Sequence, residues 1–383
     1  MAQQKKPRTF SPGDAVPWFV APTTERQDFH FNIAGGRYVV LTFLGSARDD
    51  RLRAMAAEMI ACERVFNDIR ASLFIVTCDP ADVKEARLAE RRPGARLFLD
   101  YRRQLSMLYG ACGETGVYRP FSLVLDRALR VLAVLKIAEP ERHAAEALAV
   151  IDAQPASDDR SIAGQGAPVL AVPNVFEKEF CRELIALYEK EGGEDSGFMR
   201  TDPATGKTIS TVDHGFKRRA DCAIRDMALQ ETINAKIARR LVPEVRKVFQ
   251  FSATRIERHI VACYDSQTGG YFRAHRDDTT RGTAHRRFAV TINLNAEEYE
   301  GGDLRFPEYD TRMYRATTGG AIVFSCSVLH EVWPIKRGRR FCFLPFLYDE
   351  AAAALRKENI DALADEAHRD AVARTPPPDL KTG

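Results

Sequence analysis

The sequence predicts two domains in series, an α/β layer sandwich followed by a mostly β domain with flanking helices. Three observations predict this. A chain of 383 residues is long enough for two separate cores. Its first part alternates apolar, β-branched runs with helical spacings, in the order strand-helix-strand-helix-strand-strand-helix. Its second part, beyond a stretch rich in Pro, Gly, Ser and Asp, is a series of short extended runs carrying a His-x-Asp…His pattern.

Residues 1–10 are polar and basic, have no apolar segment of the signal-peptide kind, and read as disordered. Residues 38–44 are apolar and β-branched, as in a buried strand. Residues 49–69 read as one helix from the spacing of Leu52, Met55, Met59, Cys62, Val65, Phe66 and Ile69. A second buried strand at 73–78 is followed by a helix start at Asp79-Pro80. After Pro93-Gly94 come an extended run at 97–99 and a helical turn at 105–109. Residues 121–125 and 129–137 read as a hairpin through Asp126-Arg127, and 140–151 as a closing helix. This is the order of a thioredoxin-like layer sandwich. Domain one is therefore set at 11–153, with a linker at 154–168. Domain two is set at 169–350, with its core at 251–350. It opens with an extended run at 169–173 and a helix over 177–191, whose apolar face is Phe180, Leu184, Leu187 and Tyr188. Residues 192–213, polar and Gly-rich, read as a mobile loop, and 229–249 as one long amphipathic helix. An Ala- and charge-rich helix over 351–373 and a proline-rich tail make up 351–383.

Composition excludes several classes. The net charge of +3 is small for this length and implies no polyanion partner, so no nucleic acid is expected. The clusters Lys217-Arg218-Arg219 and Lys336-Arg337 read as solvated edges. No apolar run reaches the length of a membrane span. The eight cysteines form no CxxC pair, and several sit inside apolar runs, which suits small buried hydrophobes in a reducing compartment. The expected location is the cytoplasm.

The chemistry is concentrated between Phe272 and Arg340. His275 and Asp277 stand at i and i+2, so on an extended segment both side chains leave one face. His330 follows 53 residues after Asp277. Two imidazoles and a carboxylate form the facial triad of non-haem Fe(II) oxygenases, which leaves three metal positions open. Zinc is the alternative by ligand type. Arg340 lies ten residues past His330, beyond a turn at Lys336-Arg337-Gly338. On a hairpin it would face the same pocket and grip a carboxylate with its planar fork. A slip of one residue in register would present Arg339 instead.

This segment resembles the 2-oxoglutarate/Fe(II) dioxygenases of the prolyl 4-hydroxylase type. The resemblance covers roughly 169–348. It includes Val261-Ala262-Cys263-Tyr264 and Gly269-Gly270-Tyr271 before His275, Glu300-Gly301-Gly302-Asp303-Leu304 mid-domain, and Gly319-Gly320-Ala321 before the last strands. It implies an all-β double-stranded β-helix (jelly-roll) with helices against one face, and His275, Asp277 and His330 as ligands of Fe(II). It also implies Arg340 on the distal carboxylate of 2-oxoglutarate, O2 as co-substrate and L-ascorbate as a re-reductant. Tyr264 resembles the tyrosine that hydrogen-bonds the same carboxylate, and a plain core tyrosine is the other reading. Thr291 is a further candidate for that pocket. Asp278, at i+3 from His275, should face away, and Trp333 should pack outward. His214, His259 and His285 have no metal spacing with a partner.

The first domain resembles peroxiredoxins of the alkyl-hydroperoxide-reductase type, through residues 13–19, 38–44 and 118–126. Those enzymes place a threonine and then a peroxidatic cysteine after the first of these strands. Here the chain reads Gly45-Ser46-Ala47-Arg48-Asp49-Asp50, without a thiol, and the reaction needs a thiolate. Arg119 resembles the arginine that stabilises that thiolate, and Cys62 fits core packing on its helix. The domain therefore reads as non-catalytic, with docking, a homodimer through this domain, or substrate presentation as its open roles.

The resulting expectation is a dioxygenase that hydroxylates a C–H bond of a peptidyl or amino-acid-like substrate and releases succinate and CO2. The alternative is a thiol-redox or peroxiredoxin-like adaptor whose oxygenase half senses O2 or iron. That would require a reactive Cys62 or Cys112.

Overall fold

The computed structural model describes residues 9–12, 14, 16–113, 116–127, 129–154, 166–365, 369 and 380. Of the disorder expected at 1–10, residues 1–8 lie outside the described residues, whereas Phe10 packs on Tyr109. Most of the expected linker and of the tail beyond 365 also lies outside them. The helix expected over 351–373 is shorter: it runs Glu350–Glu358 and gives way at Asn359 to a tight turn, Ile360–Ala362. The chain divides into two compact units, one of residues 1–166 with 307–311, the other of residues 167–306 with 312–383.

The first unit is built on a five-stranded sheet in the spatial order Ala95–Leu99, Ala71–Thr77, Tyr38–Gly45, Phe121–Leu125, Val131–Lys136. The first three strands run parallel and the last two add on antiparallel. The central strands are buried on both faces, as a continuous Val/Leu/Ile/Phe run requires. Helices Asp50–Ala61 and Pro140–Asp152 contribute Met55, Met59, Ala144, Ala147 and Ile151 to the core on one face. Phe31, Phe43, Phe74, Phe98 and Tyr109 fill the other. This is the α/β layer sandwich expected.

The helix expected over 49–69 is shorter. Asp49 caps it by accepting from the amides of Arg51 and Leu52, and it ends at Cys62. Asp68, at φ 62°, turns the chain out of helical geometry into the strand Ala71–Thr77. The apolar residues beyond Cys62 pack as an irregular segment, with Val65 and Phe66 fully buried.

The second unit contains a nine-stranded and a five-stranded antiparallel sheet. Successive strands alternate between them. Ile260–Asp265, Phe288–Asn293, Ala321–Ser325 and Arg339–Phe343 belong to the larger sheet. Tyr271–His275, Leu304–Arg305 and His330–Val332, which fall between them in the chain, belong to the smaller. That winding is a double-stranded β-helix. Helices Lys178–Glu191, Met227–Arg240 and Val242–Phe249 cover the larger sheet through Phe180, Leu184, Ile233, Ile237 and Val245.

Two expectations are corrected here. The single helix over 229–249 is two, because Pro243 lacks an N–H and fits only the first turn of a new helix. The segment 192–213 is not a plain loop. Phe198–Thr201 and Thr208–Thr211 pair antiparallel around Asp202, whose side chain holds the turn through Ala204 and Thr205. Among the described residues no helix is long and apolar enough to cross a membrane.

Candidate active site

The site lies between the two sheets of the second unit. His275 ends the strand Tyr271–His275 and is paired in register with His330, the first residue of His330–Val332. Asp277 falls just past the strand end, where its amide donates to the carbonyl of Cys326 at 2.9 Å. His275 Nε2 is 3.7 Å from Asp277 Oδ1, and His330 Nε2 is 3.4 Å from Asp277 Oδ2. One ligand atom from each residue lies within 4.8 Å of the others.

Both rings are oriented from behind. His275 Nδ1 donates to the carbonyl of Arg273 at 2.7 Å, and His330 Nδ1 to that of Val328 at 3.0 Å. Each Nε2 lone pair is thereby turned to the centre, the arrangement metal-binding imidazoles adopt. Phe272 stacks on His275 at 3.5 Å, and Phe324 lies 4.5 Å from His330. Burial, and then the neighbouring His330, lower the His275 pKa to about 3, so the ring is the neutral donor a cation needs. Against burial, which works to raise it, the two imidazoles hold the Asp277 carboxyl below its ordinary value.

Across from the triad, the larger sheet presents a buried cation. Arg340 is paired in register with Tyr264 on the adjacent strand, and its guanidinium lies 5.2 Å from the Tyr264 ring. Nη2 donates to Thr291 Oγ1 at 3.0 Å and lies 3.4 Å from Asn293 Oδ1. Nε and Nη1 are buried with no hydrogen-bond partner. The Tyr299 hydroxyl is likewise buried and unpartnered. Its ring and the Arg340 side chain both line Gly302, whose φ of +69° suits glycine. Three unsatisfied donors beside one buried positive charge are a costly arrangement unless an anion completes it.

The expected hairpin that would carry His330 and Arg340 together does not form. Ile335–Arg337 pairs with Glu300–Gly301, and Arg339–Phe343 joins the larger sheet. The chain crosses between the sheets at Gly338 (φ 78°), so the two residues stand on different sheets. Arg339 turns away to Glu189 at 2.6 Å, and Arg337 is exposed. Asp278 turns to Ser327, and Trp333 is partly exposed beneath Arg305. His214 pairs with Asp195, His259 with Asn234 and His285 with Glu257.

Several pocket residues had no sequence signal. Tyr299 and Asn293 carry no metal-type spacing, although Tyr299 just precedes the Glu300-Gly301-Gly302 run. Arg219 and Lys217 belong to what read as a solvated cluster but are buried. Arg219 grips both oxygens of Asp221 at 2.7 and 2.6 Å. Lys217 Nζ donates to Ser196 and to the carbonyl of Gly197, and burial followed by the charge of Arg219 lowers its pKa to about 6. Its titration is coupled to Arg219, Asp221, Asp277 and His275.

In the first unit, the segment after Tyr38–Gly45 holds no thiol. Ala47 N donates instead to both oxygens of buried Asp82. Burial raises the thiol pKa of Cys78 and Cys112, and Cys62 is half-buried against the core.

The chain is similar to several known proteins. Residues 259–348 match the family model of the 2OG-Fe(II) oxygenase superfamily. A PKHD-type hydroxylase of a Synechococcus species is 28% identical over 127 residues, 31% of this chain and 53% of that protein. The chain thus spans about half the length of this curated relative. Among solved structures, a viral collagen prolyl hydroxylase from Paramecium Bursaria Chlorella virus-1 aligns at 17% identity and TM-score 0.36, over 48% of this chain and 96% of its own. A peroxidoxin of Mycobacterium tuberculosis aligns at 23% identity and TM-score 0.34, over 39% of this chain and all of its own. The donor set His275, Asp277 and His330 fits a divalent metal, and the orphaned donors of Arg340 and Tyr299 fit a carboxylate. The C-terminal region of this chain carries a 2OG-Fe(II) oxygenase domain.

Proposed function

We propose that the protein is an Fe(II)- and 2-oxoglutarate-dependent hydroxylase acting on a C–H bond of a peptidyl or amino-acid-like substrate. The observation that carries this reading is the pairing of two features in one domain: a facial His/Asp/His cluster, and a buried arginine with two unsatisfied donors. His275, Asp277 and His330 would hold the iron, with the backbone carbonyls of Arg273 and Val328 fixing both rings. Arg340 would take the distal carboxylate of 2-oxoglutarate through Nη1, Thr291 and Asn293 would steady its Nη2, and the Tyr299 hydroxyl would donate to the same carboxylate. Tyr264, expected to hydrogen-bond that carboxylate, yields this role to Tyr299 and would instead wall the pocket with its ring, held between Arg340 and Arg219. When bound, the iron and 2-oxoglutarate supply O2 activation and the oxidising equivalent for hydroxylation, with succinate and CO2 as co-products. The sheets bury His330 and leave the His275 and Asp277 side chains 12% and 14% exposed, so water at this centre is limited. L-ascorbate, as a re-reductant of stray ferric ion, belongs to the same reading.

For the first unit we propose a non-peroxidase role in docking, substrate presentation or self-association. It offers no thiol after its first long strand, and burial keeps Cys78 and Cys112 protonated. The eight free cysteines suit a reducing, cytoplasmic setting.

Anaerobic titration of the ferrous protein with 2-oxoglutarate, followed by visible absorbance of the chelate, tests the site. Saturable colour in the parent that is absent in Asp277→Ala supports the reading. No colour in the parent, with iron bound, sinks it.

A further inference from the structure

Arg258 occupies a place that the hydroxylase reading leaves unexplained. It follows the strand Arg255–Glu257 in a left-handed conformation, φ 57°, which a long side chain adopts at a cost of about 1 kcal/mol or more. Its guanidinium lies 4.2 Å from the centre of the Phe346 ring. Phe346 faces Ala289 in register, and Ala289 shares a sheet face with Thr291, the hydroxyl that touches Arg340. Arg258 therefore lies over the pocket face of the larger sheet. Its field reaches both Asp277 and Lys217.

The neighbouring cations are already matched. Arg286, also over Phe346 at 4.1 Å, holds both oxygens of Glu257 at 3.0 and 2.7 Å. Arg219 holds both oxygens of Asp221. Each of these pairs is neutral. Arg258 has no carboxylate of its own: its Nε donates to the carbonyl of Leu344 at 3.1 Å, and the attraction of Asp221 and Glu257 is outweighed by the repulsion of the arginines that hold them. Neither Nη1 nor Nη2 has a hydrogen-bond partner among the described residues. Burial, then repulsion from Arg219 and Arg286, bring its pKa down to about 10, so it stays charged at neutral pH.

With Nε committed, the open edge is the end-on pair Nη1 and Nη2, two parallel donors that match the two oxygens of a carboxylate. A neutral or cationic substrate would bury this charge further without pairing it. We propose that the substrate carries a carboxylate, held end-on by Arg258, which fixes the reacting carbon relative to the metal centre. This rests on the hydroxylase reading and narrows its substrate to acidic compounds, either through a side-chain carboxylate or through a free chain end.

The test uses the full chain, anaerobic, with Fe(II) and saturating 2-oxoglutarate so that the Arg340 pocket is filled. Calorimetry then compares three probes: N-acetylglutamine amide, which has no carboxylate; N-acetylglutamate α-amide, with a side-chain carboxylate; and N-acetylglutamine, with a terminal one. One carboxylate probe should bind about tenfold or more tighter than the neutral amide. Which one does so identifies the source of the group. Arg258→Gln should abolish that preference, and Arg258→Lys should keep part of it. The 2-oxoglutarate colour should be unchanged in both variants, which shows that they are folded. Equal binding of all three probes, no binding of either carboxylate probe, or a preference that survives in Arg258→Gln overturns the proposal. Absence of the 2-oxoglutarate colour in the parent instead defeats the hydroxylase reading, and the probe comparison still decides the role of Arg258.

Discussion

Arg340 illustrates how much one side chain can carry. Its charge is buried, its Nη2 is held by Thr291 and Asn293, and its two remaining donors await an acceptor. Arg340→Gln should weaken 2-oxoglutarate binding by about a hundredfold or more while leaving iron affinity near that of the parent, since a buried charge and its charge-assisted contact are removed. Iron and co-substrate titrations run separately would show the split, and an equal loss of both would refute it. Tyr299→Phe removes one donor and should weaken 2-oxoglutarate by about three- to tenfold with no change in iron binding. The same titration checks it, and unchanged affinity would remove Tyr299 from the pocket. The motif residues were legible because their spacing is written along the chain. Tyr299, Asn293 and Arg219 were not, because they meet Arg340 and Tyr264 only when strands distant in sequence are laid side by side.

The crossover at Gly338 decides where Arg340 points. A side chain there would sit in left-handed backbone, with its Cβ 2.8 Å from the carbonyl of Glu298. Gly338→Ala should cost about 1–3 kcal/mol and weaken 2-oxoglutarate binding, because relieving the contact shifts the start of Arg339–Phe343. Melting curves with and without 2-oxoglutarate would show a lower midpoint and a smaller ligand-induced rise. A variant melting like the parent would contradict this placement. Expectation and structure also diverge at the crossover. A turn signal before Arg340 suggested a hairpin, but pairing partners are chosen by the faces the strands bury. Arg339–Phe343 buries Phe341, Cys342 and Phe343 in the larger sheet. The split of the 227–249 helical region at Pro243 was readable from proline chemistry. The hairpin within 192–213 was masked by polar strands whose alternation is weak.

Across the whole molecule, periodicity and segment order carried the layer sandwich and the β-rich unit, because apolar faces recur at 3.6 and 2.0 residues. Which sheet each short strand of the second unit joins was not readable, since strands of two to five residues carry too little pattern. The sandwich contains an ion pair that ties its stability to pH. Asp68 binds Arg96 at 2.8 and 2.6 Å and, against burial, Arg96 and Ser72 lower its pKa from 3.8 to about 2. A carboxyl lowered in the folded state contributes fully above its unfolded value and loses that contribution as pH falls toward 2. Between pH 4 and 2 the parent should lose about 2 kcal/mol of stability that Asp68→Asn lacks from the outset. Denaturant melts of both proteins across that range would show the two converging, and parallel curves would contradict it. The central claim is that the second unit couples 2-oxoglutarate to O2 through His275, Asp277 and His330. Succinate formation from 2-oxoglutarate by the aerobic full chain with Fe(II) and ascorbate tests it most directly, beside Asp277→Ala. The account predicts slow succinate release by the parent even without substrate and none from the variant. An iron-loaded parent that releases no succinate, or a variant that matches it, would contradict the account.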